Sequence, residues 1–365
     1  MFAREKPLPQ AVLSPNAPQA NDLIEEDGIR LGSAYWNPEI LPNGHIVAIG
    51  ASGSGKTQTL KAISFAMHQT YPQIQVILID FHGDQDIAGE TCFPLHMNSD
   101  WGINLLVLNL DPEGGGPNLQ SIQVVALLKK TLRLGPNQEG LALEVLGECY
   151  HRRGILQSDS STWTREPPNF TDVQRVIEDR IENGCKDSQK LQLKLAATFI
   201  YGIFNRAQPE LSEKLIRIDL SKLPPELAAI AAESLARQLM NNHRLQGEIE
   251  GKLPYTYLFI DEAKEMPKIA GSACDRIIAD GRKYGLALVL ASQSERHLSL
   301  DVIGNSATKI VLPVDQTEAK KVARKFRFAE QKVAQLKPLT ALCRFGTQAQ
   351  QVEIIPYFQR IQEER

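Results

Sequence analysis

Gly50-Ala51-Ser52-Gly53-Ser54-Gly55-Lys56-Thr57 places glycines, a lysine and a hydroxyl in the spacing G-x-x-x-x-G-K-[ST]. Glycines let the backbone curl until several N–H groups and a helix N-terminus face one phosphate chain. Gly50, Ser52, Gly53, Ser54 and Gly55 would form that cradle. Lys56 adds a point charge for β- and γ-phosphates, and Thr57 offers its hydroxyl to Mg²⁺. Gln58 follows at the position whose backbone faces the α-phosphate. The flanks agree: His45 to Ile49 reads as a short buried strand, and Gln58 to Met67 as a helix. A Gly/Ser-rich turn that binds nothing would not need all of these features in register.

A second group of residues supplies the rest of a hydrolytic site. Tyr257-Leu258-Phe259-Ile260 is an apolar run that delivers Asp261 and Glu262 at its end. Asp261 would hold the Mg²⁺ shell, while Glu262 would orient or deprotonate an attacking water. Leu286 to Ala291 is a further apolar run ending in Ser292-Gln293. The Gln293 amide at a strand end can reach a γ-phosphate or the water; the plainer reading is a strand-end cap. Arg282, within Gly281-Arg282-Lys283-Tyr284-Gly285, stands before this strand and could supply charge to a neighbouring subunit's nucleotide. Arg276 is its rival, and a solvated or ion-paired arginine is the alternative for either.

These residues need a scaffold of alternating strands and helices. Ile74 to Ile79 reads as a strand that ends in the acidic turn Asp80 to Asp86, at the edge where ligands of open parallel sheets bind. Leu215 to Leu220, Tyr255 to Ile260, Ala287 to Ala291 and Thr308 to Leu312 read as further strands. Pro225 to His243 reads as a long helix begun by Pro-Pro and Glu226. The expected fold class is α/β, a mostly parallel sheet with helices on both faces. Residues 43–120 and 208–350 form its core. Residues 121–207 change to helical spacing and read as an α-helical insertion, with an N-terminal arm over 1–42 and a C-terminal tail over 351–365.

Bulk properties narrow the setting. The 365 residues are 42% hydrophobic and 23% charged, ordinary values for a globular protein, and no apolar run approaches a membrane span. The N-terminus lacks an apolar core behind its charges, so a cytoplasmic location without membrane insertion is expected. Five scattered cysteines without a C-x-x-C pair suggest neither a disulfide framework nor a zinc site. The formal net charge of −3 gives no basic field, so nucleic acid would be held by a local patch or a ring of subunits. Candidate patches are Lys129-Lys130-Arg133, Arg152-Arg153 and Lys320-Lys321-Arg324-Lys325-Arg327.

The motifs together resemble the HerA/FtsK branch of P-loop ATPases, closer to HerA. The resemblance rests on His45-Ile46-Val47-Ala48-Ile49-Gly50, Ile79-Asp80-Phe81-His82-Gly83-Asp84, Asp219-Leu220-Ser221-Lys222-Leu223-Pro224 and Ile260-Asp261-Glu262-Ala263. It also rests on Gly281-Arg282-Lys283-Tyr284-Gly285 with Ala291-Ser292-Gln293, and on Asn305-Ser306-Ala307-Thr308-Lys309-Ile310. It implies a RecA/FtsK-like P-loop fold, ATP and Mg²⁺ as cofactors, Arg282 at the finger position, Gln293 at the sensor and Asp80 beside the nucleotide site. It further implies a homo-oligomer, a hexameric ring threading double-stranded DNA, and a nuclease or other effector partner in DNA processing or anti-phage defence. FtsK and the conjugative coupling proteins carry membrane helices, whereas secretion-system ATPases of the same clan do not. A conjugation or type IV secretion ATPase is therefore the alternative, and an ATP-dependent assembly switch the second.

Overall fold

The computed structural model describes residues 27–363. Most of the expected N-terminal arm, residues 1–26, lies outside the described residues. The first element is a two-stranded antiparallel sheet, β1 (Ile29–Arg30) and β2 (Tyr35–Trp36). Trp36 is buried, donates from Nε1 to Thr308 Oγ1 at 2.9 Å and meets the Tyr257 ring edge-on, which fastens this small sheet to the main one.

Strand β3 (Ile46–Ile49) leads into helix α1 (Lys56–Thr70), then β4 (Gln75–Asp80) and β5 (Thr91–Pro94). Four helices come next: α2 (Pro117–Leu132), α3 (Pro136–Arg152), α4 (Phe170–Glu182) and α5 (Lys186–Tyr201). The first of these starts four residues before the helical spacing becomes visible at Ser121, because Pro117 sits in its first turn, where a missing N–H costs nothing. The chain returns through β6 (Leu215–Asp219), α6 (Pro225–Gln246) and β7 (Thr256–Ile260). It continues as α7 (Ala273–Asp280), β8 (Leu286–Ser292), α8 (Leu300–Asn305) and β9 (Thr308–Val311). Last come α9 (Gln316–Phe326), α10 (Glu330–Ala334), β10 (Thr340–Phe345), β11 (Gln348–Glu353) and α11 (Tyr357–Glu363). Among the described residues no helix is long and apolar enough to cross a membrane.

Nine strands form one sheet in the order β11-β10-β9-β3-β8-β7-β4-β6-β5. From β9 to β5 every pairing is parallel; β10 and β11 add an antiparallel edge. Side chains alternate between two cores. Val47, Ile49, Leu258, Ile260, Leu288 and Leu290 face a large cluster shared with α2 to α7. Ile46, Ala48, Tyr257, Phe259, Val289 and Ala291 face a smaller one built with α1 and β1–β2. A strand buried on both faces has no polar side to show, which explains why β3, β7 and β8 read as continuous apolar runs.

His45, just before β3, is 1% exposed, and its Nδ1 accepts from Leu288 N at 3.0 Å. Burial, with the nearby Arg282 charge, pushes its pKa from 6.5 down to about 4. The unfolded chain therefore takes up this proton near pH 6.5 while the folded chain stays neutral. The stability involved is whole above pH 6.5 and disappears as pH falls towards about 4, a loss of up to about 3 kcal/mol. Chemical denaturation between pH 7 and 4 should show a shallower fall for His45→Asn than for the natural chain; equal slopes would remove His45 from the account.

Candidate functional site

The phosphate loop is held from both sides by the sheet. Gly50 N donates to Ser292 O at 3.2 Å and Ala51 N to Pro313 O at 2.8 Å, so the loop leaves β3 fixed to the ends of β8 and β9. Gly53 and Gly55 take φ of +77° and +93°, a left-handed backbone that side chains rarely adopt. A Cβ on Gly55 would also stand 2.6 Å from Leu339 Cδ2, and Leu339 N donates to Ser54 O at 3.1 Å. Helix α1 begins at Lys56 with Gly55 as its N-cap and no side chain bonding its first-turn amides. Those N–H groups are placed to receive an anion. Ser54 Oγ is buried here without a hydrogen-bond partner.

Strand β7 delivers Asp261 and Glu262 beside this loop, and both carboxylates are buried, at 7% and 1% exposure. Lys56 Nζ makes an ion pair with Asp261 Oδ1 and lies 3.3 Å from the Asp261 carbonyl. Thr57 Oγ1 is 3.3 Å from Asp261 Oδ2. Thr57 and Asp261, the residues that would hold Mg²⁺, thus sit side by side next to the phosphate loop, and their oxygens are donors of the kind that ion takes. Glu262 is treated differently. Its Oε2 accepts from Gln293 Nε2 at 2.9 Å, while its Oε1 is buried with no partner. An orphaned carboxylate oxygen in a low-dielectric setting is a strong acceptor for a bound water's proton.

Asp80, 1% exposed at the end of β4, organises the acidic turn. Its Oδ1 accepts from His82 N and Gly83 N at 3.0 and 2.7 Å; its Oδ2 accepts from Gln85 N and Arg217 Nη1, both at 3.1 Å. Arg217 in turn binds Glu90 at 2.7 Å. This turn aims Gln85, a residue that sequence reasoning passed over, so that its Nε2 donates to Asp261 Oδ2 at 2.5 Å. The only sequence signal was its place inside the polar turn after β4. Asp80 therefore touches Asp261 through Gln85. Burial, then the charges of Asp261 and Asp80, pushes the Asp84 carboxyl up, which marks the turn as crowded with negative charge.

Lys56, Thr57, Asp261, Glu262 and Gln293 come together; Arg282 does not join them. It precedes β8 and lies near His45 at the opposite sheet edge, separated from Gln293 by a seven-residue strand, roughly 20 Å. Its guanidinium cannot reach the nucleotide site of its own chain. Arg276, in α7, is half-buried; burial and the charges of Arg237 and Arg244 push its pKa down. Gln58 faces α11, its Oε1 accepting from Phe358 N at 3.3 Å.

Among the described residues half of the cations in the sequence-expected basic patches are paired with carboxylates. Lys129 pairs with Glu139, Arg152 with Glu148 and Asp179, Arg153 with Asp172, Lys321 with Glu318 and Lys325 with Glu295.

No family model and no curated protein matches this sequence, but solved structures match its fold. VirB4 of Thermoanaerobacter pseudethanolicus is similar at TM-score 0.74 and 17% identity, covering 91% of this chain and 97% of that one. The plasmid coupling protein TrwB with the ATP analogue ADPNP is similar at TM-score 0.61 and 12% identity, covering 90% and 89%. TrwB with ADP and Mg²⁺ is similar at TM-score 0.58 and 14% identity, covering 90% and 88%. The architecture is that of a VirB4/TrwB-like P-loop NTPase fold.

Replacing Gln85 by Leu removes a hydrogen bond to Asp261 and leaves the phosphate loop intact. The Mg²⁺ concentration needed for half-maximal binding of a fluorescent ATP analogue should rise about ten-fold. An unchanged Mg²⁺ titration would show that Gln85 does not position Asp261.

Proposed function

We propose that this chain is an ATP-hydrolysing ring motor that moves double-stranded DNA, with each nucleotide shared between two subunits of a hexamer. The observation that carries the hydrolytic part is Glu262: buried, held on one oxygen by Gln293 and unpartnered on the other, next to the Lys56, Thr57 and Asp261 cluster. A nucleotide switch without turnover would have no use for that oxygen. In this reading Lys56 exchanges Asp261 for the β- and γ-phosphates, and Thr57 and Asp261 hold Mg²⁺. When bound, the metal would supply positive charge that stabilises the phosphoryl-transfer transition state. Glu262 accepts the proton of the attacking water as that water's oxygen bonds the γ-phosphorus and the bond to the β–γ bridging oxygen breaks, releasing ADP and phosphate, and Gln293 moves with Glu262.

The neighbour's part falls to Arg282. Its place at the far sheet edge supports a role in trans, since a finger acts on a nucleotide it does not itself cradle. By its HerA-like motifs the motor would work with a nuclease or other effector in DNA processing or defence. A second reading, a conjugation or secretion ATPase, draws support from the likeness to VirB4 along nearly its whole solved length and to the bacterial conjugative coupling protein TrwB. DNA dependence separates the two, because a motor working on duplex DNA must couple turnover to it.

Purified protein should hydrolyse ATP faster with linear duplex DNA, and Glu262→Gln should lower that rate about a hundred-fold or more while retaining ATP. Turnover that ignores DNA would favour the secretion reading; turnover that ignores the substitution would refute the proposed chemistry. Arg282→Ala should reduce turnover about a thousand-fold with ATP binding preserved, measured alongside the mass of the assembly. Full activity in that variant would move the finger elsewhere, Arg276 being the next to test.

A further inference from the structure

Three cations that carry no counter-charge meet on one surface, and only one of them, Arg327, lies in a sequence-expected patch. Lys309 on β9 and Arg344 on β10 are directly opposed in the antiparallel register, so two positive side chains share one face of adjacent strands. Like charges in that position destabilise a sheet unless something offsets them. Arg327, which ends α9 with a left-handed φ of +60°, joins them: Arg344 Nη2 donates to its carbonyl at 2.6 Å. Arg344 is further held over the Phe328 ring at 5.1 Å, and its Nε is buried without a partner.

No carboxylate lies within 4.0 Å of any of the three among the described residues. Burial, then the charges of Arg344 and Arg327, pushes the Lys309 ammonium below its usual range, which agrees with that crowding. All three line one open groove of about 1470 Å³. It lies where β9 begins, at the end of the strand away from the phosphate loop. Small-molecule sites run to about 300–1000 Å³, so this groove suits a polymer. Its remaining polar walls include Asn305 and Thr347, an amide and a hydroxyl of the kind that donate to phosphate oxygens, while Asn43 is taken up by its bond to the Asn305 carbonyl at 2.8 Å. The carboxylate in its lining, Asp27, accepts from Asn37 at 3.1 Å.

We propose that this groove binds the phosphodiester backbone of duplex DNA through Lys309, Arg327 and Arg344. The inference rests on the motor reading and names the surface by which it would grip its track. Contact to phosphates alone makes the grip independent of sequence, as translocation requires, and sensitive to salt.

The test uses the full chain carrying Lys309→Gln and Arg327→Gln, with Lys309→Arg as the conservative control. Binding of a fluorescent linear duplex is followed from about 50 to 200 mM salt, the range over which phosphate contacts weaken most visibly. The double variant should lose about ten-fold in affinity at the lower salt, and its log–log salt slope should shrink by about two, one for each phosphate contact removed. Lys309→Arg should keep the natural slope, and DNA-independent ATP turnover should be unchanged in every variant. If the double variant keeps natural affinity, slope and DNA-stimulated turnover, the groove is wrong while the motor stands. If the natural chain hydrolyses ATP but neither binds nor responds to duplex, both readings fail together. Binding of inorganic phosphate or polyglutamate that the substitutions weaken, with duplex binding untouched, would assign the groove to another anion and overturn the proposal.

Discussion

Two adjacent carboxylates are forced into the interior at the end of a central strand, and compensating them governs the surrounding structure. Leaving a charge buried and unpaired costs several kcal/mol, so each must be matched or put to use. Asp261 is matched by an ammonium, a hydroxyl and an amide from three separate side chains. Glu262 is matched on one side only. In the proposed mechanism that asymmetry separates the carboxylate that would hold a cation from the one that would handle a proton, although the two are neighbours in sequence.

Each compensating group has its own support. Lys56 is fixed because α1 begins there, and α1 begins there because Gly55 accepts a left-handed backbone. Gln85 is fixed by Asp80, whose carboxylate collects three backbone amides and Arg217. Gln293 stands one residue past the end of β8, whose Ser292 carbonyl also receives the first amide of the phosphate loop. Phosphate loop, acidic turn and Gln293 are thus tied to neighbouring strands of one sheet. A change in the charge on Asp261 acts directly on Lys56, Thr57 and Gln85, while Gln293 contacts its neighbour Glu262.

Much of this was legible in the residues. The phosphate loop, the Asp261-Glu262 pair and the core strands announce themselves because their chemistry is local: a strand buried on both faces is apolar throughout, and a phosphate cradle needs its glycines close together. The edge strands were not legible. Gln348–Glu353 is mostly exposed and glutamine-rich, with no alternation to reveal β11, and its place depends on pairing with β10. Gln85 was hidden for a related reason, since its value lies in a contact to a residue 176 positions away. The charge clusters were legible only in part. Runs of lysine and arginine along one helix drew attention, yet many find carboxylates nearby. Lys309 and Arg344, 35 residues apart, meet only because two strands pair.

The central claim is that triphosphate cleavage needs residues from two copies of the chain. Mixing Glu262→Gln subunits with Arg282→Ala subunits tests it most directly, because each alone lacks half of every site. Mixed assemblies, verified by native mass spectrometry, contain interfaces that join an intact Glu262 to an intact Arg282, and the account predicts that ATP turnover reappears in them. Mixed assemblies of the correct mass that remain as inactive as either parent would contradict it.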